Sequence, residues 1–308
     1  MELRAVYQKT LKELMTKHKN VVMLDADLAS ASGSTATFKE FPNQTVNAGI
    51  SEANMISAAA GMSLTGMRPY VHTFAPFATR RVLDQIFMSG AYSKNPIHIY
   101  GTDPGFWAQH NGGTHTSYED IALLSAIPEV VVSAPSDRYQ LEWILKEFMN
   151  RKQVFYTRTQ RKQANEIYDE TETFEFGKSK VIRNGEKIAV YAMGDMTHEA
   201  LRAHDMLQEE GINITVVDTF FIKPFDTETL KEISSNHELI ISIENHNKIG
   251  GLGSTIAREL LENKLKTELE MIANQDVFGE VGEQPYLQAK HHLNAEHIVE
   301  KVKKHLNL

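Results

Sequence analysis

The stretch VNAGISEANMISAAAGMSLTGMRPYVHTF, residues Val46 to Phe74, carries the fold in miniature. Val46–Ile50 is a short strand candidate containing Gly49, and Glu52–Leu64 follows with helical character. Pro69–Phe74 is then a second short run rich in β-branched and aromatic residues. A strand, a helix and a second strand so closely spaced read as a βαβ unit, which requires parallel strands. Working outward, further short strands are expected at Val21–Asp25, Ile97–Gly101, Val130–Ser133 and Val154–Thr157. Helical patterns fill the intervals at Arg80–Tyr92, Tyr118–Ala126 and Arg138–Asn150. That alternation predicts a parallel sheet covered by helices on both faces.

Residues Arg158–Glu186 break the rhythm, being polar, charged and poor in large aliphatics, with one short strand expected at Ser179–Arg183. Alternation then restarts with strands at Ile188–Tyr191, Ile214–Asp218 and Leu239–Glu244. Helices are expected at Thr197–Glu210, Thr227–Asn236, Gly253–Asn263 and Ala295–Leu306. The expected architecture is α/β, with two doubly wound domains, each a mostly parallel sheet covered by helices. Their bounds are residues 1–165 and 187–308, joined by a linker at 166–186.

The 308 residues suit two domains, and 42% hydrophobic with 23% charged residues is ordinary for a water-soluble globular chain. A net charge of −8 argues against a nucleic-acid partner, because phosphate backbones select basic surfaces. The absence of cysteine removes disulfides, thiolate nucleophiles and cysteine-held metals. Met1–Met15 reads as an amphipathic helix rather than a signal peptide, and no run reaches the roughly 18 apolar residues of a membrane span. A cytoplasmic location is the resulting expectation.

Four segments carry residues suited to chemistry. Glu52 sits in the first turn of a helix directly after a strand, where an acidic residue complements the helix dipole. The small residues Ile56-Ser57-Ala58-Ala59-Ala60-Gly61 imply that this helix packs closely and is largely buried. A buried carboxylate there would have a raised pKa unless it meets a partner. Phe74 and Phe77 stand three apart at a strand end, as core aromatics or as an apolar wall for a planar ring. The loop Gly101–His115 holds four glycines beside His110 and His115, in the position where open α/β sheets bind ligands. The two histidines lack a strong metal-binding spacing, and neither a phosphate-loop nor a dinucleotide fingerprint is present. Glu244-Asn245-His246-Asn247 with Gly250-Gly251-Leu252-Gly253 reads as a strand-to-helix binding turn or as a tight turn with close helix–sheet packing.

Taken in order, GISEANM at Gly49–Met55, HTFAPFATRR at His72–Arg81, DQI at Asp84–Ile86, GTDPG from Gly101 and GGTHTSYEDIALL at Gly112–Leu124 resemble transketolase. APSD at Ala134–Asp137, THEAL at Thr197–Leu201, FIKPFD at Phe221–Asp226 and the GGLG turn extend that resemblance over essentially the whole chain. It implies the pyrimidine-binding and C-terminal domains of that family. The family's Gly-Asp-Gly metal and diphosphate motif is missing; Gly194-Asp195-Met196 is the nearest string and lies in the wrong domain. The resemblance therefore implies one half of a split enzyme that uses thiamine diphosphate. An N-terminal partner subunit would hold Mg2+ or Ca2+ and the diphosphate, in an α2β2 assembly.

Residue by residue, the resemblance implies that Glu52 hydrogen-bonds the aminopyrimidine nitrogen and that Phe74 and Phe77 enclose the ring, supported by Arg81 and Gln85. His115 would approach substrate hydroxyls as a catalytic residue, and Arg158 would hold a sugar phosphate. Ser30, Ser32 or Ser34 would supply a loop serine at the same end, with Ser32 and Ser34 favoured.

The departures are Asp103 where a histidine is common and Gln109-His110-Asn111-Gly112 where Gly-Glu-Asp-Gly is common, with Ala53 and Trp107 also unusual. Asp103, His110 and Asn111 are thereby expected at the substrate. An aspartate replacing a cation should weaken phosphate binding unless another group compensates. The expected reaction is transfer of a two-carbon ketol unit from a ketose to an aldose, with a sulfonated or branched donor conceivable. Alternatives are a deoxyxylulose-phosphate synthase-like subunit, the beta subunit of a 2-oxo-acid dehydrogenase, or a non-catalytic regulatory subunit.

Overall fold

The computed structural model describes residues 1–308 as two helix-flanked sheets. The strands are β1 (Val21–Asp25), β2 (Thr45–Asn47), β3 (Arg68–Phe74), β4 (His98–Thr102), β5 (Val131–Ser133) and β6 (Phe155–Thr159). They continue with β7 (Lys180–Arg183), β8 (Lys187–Ala192), β9 (Thr215–Asp218), β10 (Phe221–Lys223), β11 (His237–Asn247) and β12 (Glu268–Asn274). The first sheet runs β10-β5-β6-β4-β3-β1-β2 and the second β12-β11-β8-β9-β7. Every pairing is parallel except β10 with β5 and β7 with β9. No helix is long and apolar enough to cross a membrane.

The central strands β1 and β4 are buried along their full length, as hydrophobic strands covered on both faces must be. The outermost strand β2 is shorter than expected, because Asn47 turns its side chain onto the amides of Asp27 and Gly49. Gly49 then takes a positive φ of 71°, which ends the strand before the helix Glu52–Leu64. That helix buries Met55, Ile56, Ala59 and Ala60 against the sheet. Its opposite face, with Asn54, Ser57, Gly61 and Leu64, is exposed, so the helix is buried on one side rather than throughout. The expected helix at 80–92 is a tight turn at Arg80–Val82, a short helical turn at Leu83–Gln85 and a wide-turn segment at Ile86–Tyr92. Gly90 faces Val154 and Ile97 there, and a Cβ would meet Val154 at 3.0 Å.

The two sheets are not independent. β10 lies in the second half of the sequence yet completes the first sheet by pairing with β5. One apolar core joins Val132, Ala134 and Tyr156 of the first half to Tyr191, Met193 and Leu252 of the second. Asp218, fully buried at the end of β9, accepts hydrogen bonds from Ser136, Gln140, Tyr168 and Thr197. The segment expected as a linker is tied down: Asp137 accepts the amides of Ile167 and Tyr168, and Phe174 and Phe176 pack on the aromatic core.

Candidate active site

Strands β1, β3, β4 and β6 are parallel neighbours, so their carboxyl ends lie together on one edge of the first sheet. The chain reverses its direction of progress across the sheet between β1 and β3, the position where such sheets leave a crevice. Glu52 begins the helix after β2 and is only 4% exposed. Its Oε1 accepts a hydrogen bond from Nη1 of Arg81 at 2.7 Å, the partner that a buried carboxylate requires. The Arg81 guanidinium lies over the Phe77 ring, with Cζ 3.7 Å from the centroid, within cation–π range.

Phe77 and Phe74 stand with ring centroids 6.3 Å apart, both half-buried, and His115 meets them edge-on at 5.2 and 6.1 Å. Glu52, Arg81, Phe77, Phe74 and His115 thus form one unbroken chain of contacts. Gln85 is half-buried one turn beyond Arg81. Arg80 points the other way and gathers the loop: it donates to the carbonyls of Gly113, Thr114 and Thr116 and to Glu119. The Thr114 hydroxyl lies 2.9 Å from Nδ1 of His115 and fixes the ring.

Asp103 follows β4 at a positive φ of 55°. Its two oxygens accept from the backbone N–H and the Nε of Arg161, at 3.1 and 2.5 Å. Burial raises the Asp103 carboxyl above its usual value, and the Arg161 charge opposes that shift. His110 lies 3.2 Å from Glu283, and Asn111 is exposed on the same loop.

Three expected residues are turned away from this group. Ser32 and Ser34 are buried, hydrogen-bonded to each other at 2.8 Å, and Ser32 also donates to Asp25 at 3.1 Å. Asp25 in turn lies 3.2 Å from His72, whose other ring nitrogen is 3.3 Å from the Thr102 hydroxyl. Arg158 is 4% exposed at the boundary between the sheets. Its Nε lies 3.1 Å from Asp120, Nη2 donates to the Asn245 carbonyl at 2.9 Å, and Nη1 has no partner.

The glycine turn of the second half packs as closely as its sequence implies. A Cβ on Gly251 would lie 1.9 Å from Glu244, and one on Gly253 2.6 Å from the Ser242 hydroxyl. Glu244 accepts the amides of Leu252 and Gly253, while burial raises its pKa to about 7. No group of three or more His, Cys, Asp or Glu side chains is arranged to hold a metal ion.

Two family models cover most of the chain: the transketolase pyrimidine-binding domain matches residues 1–166, and the transketolase C-terminal domain matches residues 177–298. The chain belongs to the transketolase family. A relative described as a putative transketolase C-terminal section, from Methanocaldococcus jannaschii, is 36% identical over 302 residues, covering 97% of this chain and 95% of the relative. A 6-deoxy-6-sulfo-D-fructose transketolase subunit from Clostridium sp. is 37% identical over 297 residues, covering 96% and 92%. A solved split-gene transketolase, described as an inactive beta4 tetramer, superposes with a TM-score of 0.92 at 36% identity over 100% of this chain and 99% of that one.

Among transketolase-family residues, the sequence anticipated the Glu52, Phe74, Phe77, Arg81 and His115 group, which the fold brings together. It missed Arg80 as the clamp on the loop and Arg161 as the partner of Asp103. Arg80 is adjacent to Arg81 in the quoted HTFAPFATRR motif, so its position was visible and its target was not.

Proposed function

We propose that this chain is the C-terminal subunit of a two-subunit transketolase-type transferase that moves a two-carbon ketol unit from an anionic ketose to an aldose. The observation that carries the reading is the buried Glu52 carboxylate, joined through Arg81 to two half-open phenylalanine rings and His115. One Glu52 oxygen is held by Arg81 and the other accepts no hydrogen bond from the protein, so a ring N–H fits there. The Phe74 and Phe77 faces suit a flat heteroaromatic ring, and Arg81 and Gln85 border it. These residues fit the aminopyrimidine end of thiamine diphosphate. When bound, that cofactor supplies the electron sink for breaking and remaking a carbon–carbon bond next to a carbonyl.

With the cofactor bound, Glu52 would hydrogen-bond the pyrimidine nitrogen, and its burial would make that bond stronger than it would be in water. His115 faces the substrate hydroxyls with its ring fixed by Thr114, and Asp103, His110 and Asn111 border the far end of the sugar. Ser32, Ser34 and Arg158 act as positioning residues. The diphosphate and its Mg2+ or Ca2+ are held by an N-terminal partner subunit, and two copies of each subunit form an α2β2 assembly. The exposed face of Asn54, Ser57, Gly61 and Leu64, beside exposed Phe87, Met88 and Tyr92, supports pairing of two copies of this chain.

Co-purification with the N-terminal subunit followed by a ketol-transfer assay tests the reading. Transfer is expected from the complex and not from this chain alone, with Glu52→Ala abolishing it. Activity unaffected by Glu52→Ala overturns the proposal in favour of a non-catalytic role.

A further inference from the structure

A cleft of about 440 Å³ is lined by Asp103, Trp107, His110, Arg161 and Lys162, among other residues. Its lining is charged, with only two hydrophobic residues, so it suits the polar end of a ligand rather than an aromatic ring. Arg4 is paired with Glu2 and His110 with Glu283, while the Lys162 side chain is exposed at the rim and held by no partner. Arg161 is engaged on one side only. Its Nε and backbone N–H are fixed by Asp103, while its two terminal nitrogens have no protein partner. Its Cζ lies 5.0 Å from the Phe74 centroid, placing those free nitrogens beside the ring that also carries His115.

Asp103 is unsuited to bind an anion itself. It is buried, its backbone is held at a positive φ, and both its oxygens are consumed by Arg161. A non-glycine residue in that conformation needs support from its surroundings, and positions of this kind gather at functional sites. The register between β4 and β6 pairs Thr102 with Thr159, so Asp103 and Arg161 emerge side by side at the carboxyl edge. A guanidinium whose Nε is clamped is held still, and its two remaining nitrogens form a fork suited to two oxygens of an oxyanion.

We propose that Arg161 is the residue that recognises the oxyanion at the far end of the ketose, phosphate or sulfonate, and that Asp103 is its positioning residue. Arg158, three residues earlier, has its Nε on Asp120 and its Nη2 on the Asn245 carbonyl, which leaves only a buried Nη1 without a partner. The inference rests on the proposed ketol transfer and adds the residue that sets donor selectivity.

The test uses the complete complex with three donor classes: a phosphorylated ketose, a sulfonated ketose and an uncharged short ketose. Arg161→Ala is expected to lower the ratio of kcat/KM for the anionic over the uncharged donor by about 10- to 100-fold, carried in KM, as for loss of a charge-assisted hydrogen bond. Arg161→Lys should retain part of that ratio, and Asp103→Asn should lower it less than Arg161→Ala while leaving the charge of Arg161 in place. The phosphate and sulfonate arms identify which oxyanion the fork reads. Turnover of the uncharged donor shows in each case that the variant is folded and assembled. An unchanged ratio in Arg161→Ala overturns the role of Arg161. Absence of transfer by the wild-type complex from every donor overturns the functional reading beneath it.

Discussion

The side chain of Asn245 holds the backbone of Phe106 across the boundary between the two sheets, its Oδ1 accepting the Phe106 amide at 3.1 Å. Its Nδ2 donates to the carbonyl of Pro104 at 3.3 Å, so both ends of the amide grip one loop. Phe106 itself is buried in the core of the second sheet, although the loop leaves from the first. The loop after β4 is therefore anchored at its base by the opposite half of the molecule.

Replacing Asn245 with alanine removes both bonds and leaves a buried amide without a partner, a loss of about 1–3 kcal/mol. The expected result is a lower unfolding midpoint and faster proteolysis within residues 105–116. Gly105→Ala should do the same by steric means, since its Cβ would stand 2.0 Å from Asn245 Oδ1 at a φ of 60°. Unchanged proteolysis in both variants would show that the loop is held elsewhere.

One oxygen of Asp120, Oδ2, meets both Arg158 Nε and the Tyr156 hydroxyl, at 3.1 and 2.6 Å. All three groups are buried. Asp120→Ala strands the guanidinium without its counter-charge, and a destabilisation of about 3–5 kcal/mol is expected. Chemical denaturation measures it. A loss below about 1 kcal/mol, the range of a solvent-exposed pair, would contradict the burial of this ion pair.

Glu244 gives the stability a definite pH dependence. Burial raises its pKa from 4.5 to about 7, so the folded state holds the proton more tightly than the unfolded one. Its contribution is complete below 4.5 and is lost as pH rises through about 7. His246 runs oppositely: burial lowers it to about 4, so its contribution is present above 6.5 and lost as pH falls through about 4. Thermal unfolding of Glu244→Gln should therefore gain on the wild type as pH rises between 4.5 and about 7. Parallel pH profiles for the two proteins would refute this assignment.

Arg80 closes its loop through three carbonyls and one carboxylate. Arg80→Ala should reduce the protection of the amides of residues 113–116 against hydrogen exchange by about 1–3 kcal/mol. Exchange rates unaltered at His115 would mean that Thr114 alone suffices to order the ring.

The legible features were local ones. The βαβ unit around Glu52 is written in short apolar runs and a glycine turn, and the last helix, Ala295–Leu306, follows its periodicity to both ends. Strand β10 escaped notice because three residues carry no period, and its partner β5 lies far away in the sequence. The same limit applies to the candidate site. Glu52, Phe74 and Phe77 were recognisable from motif order, whereas the Asp103–Arg161 contact depends on which strands are neighbours. Arg158 was placed at a sugar phosphate by resemblance; its contact with Asp120, supplied by a different element, was not visible in the sequence.

Strand β10 also bears on where the chain can be divided. The two matched family domains end and begin near residues 166 and 177, but the first sheet is finished only at 223. A fragment stopped between them would leave β5 with a bare row of amides and carbonyls, open to strands from neighbouring molecules. It would also lose Asp218, leaving the buried polar side chains of Ser136 and Gln140 without their acceptor. Such a fragment should precipitate or dimerise through that edge, so the smallest portable piece of this protein is larger than either of its named domains.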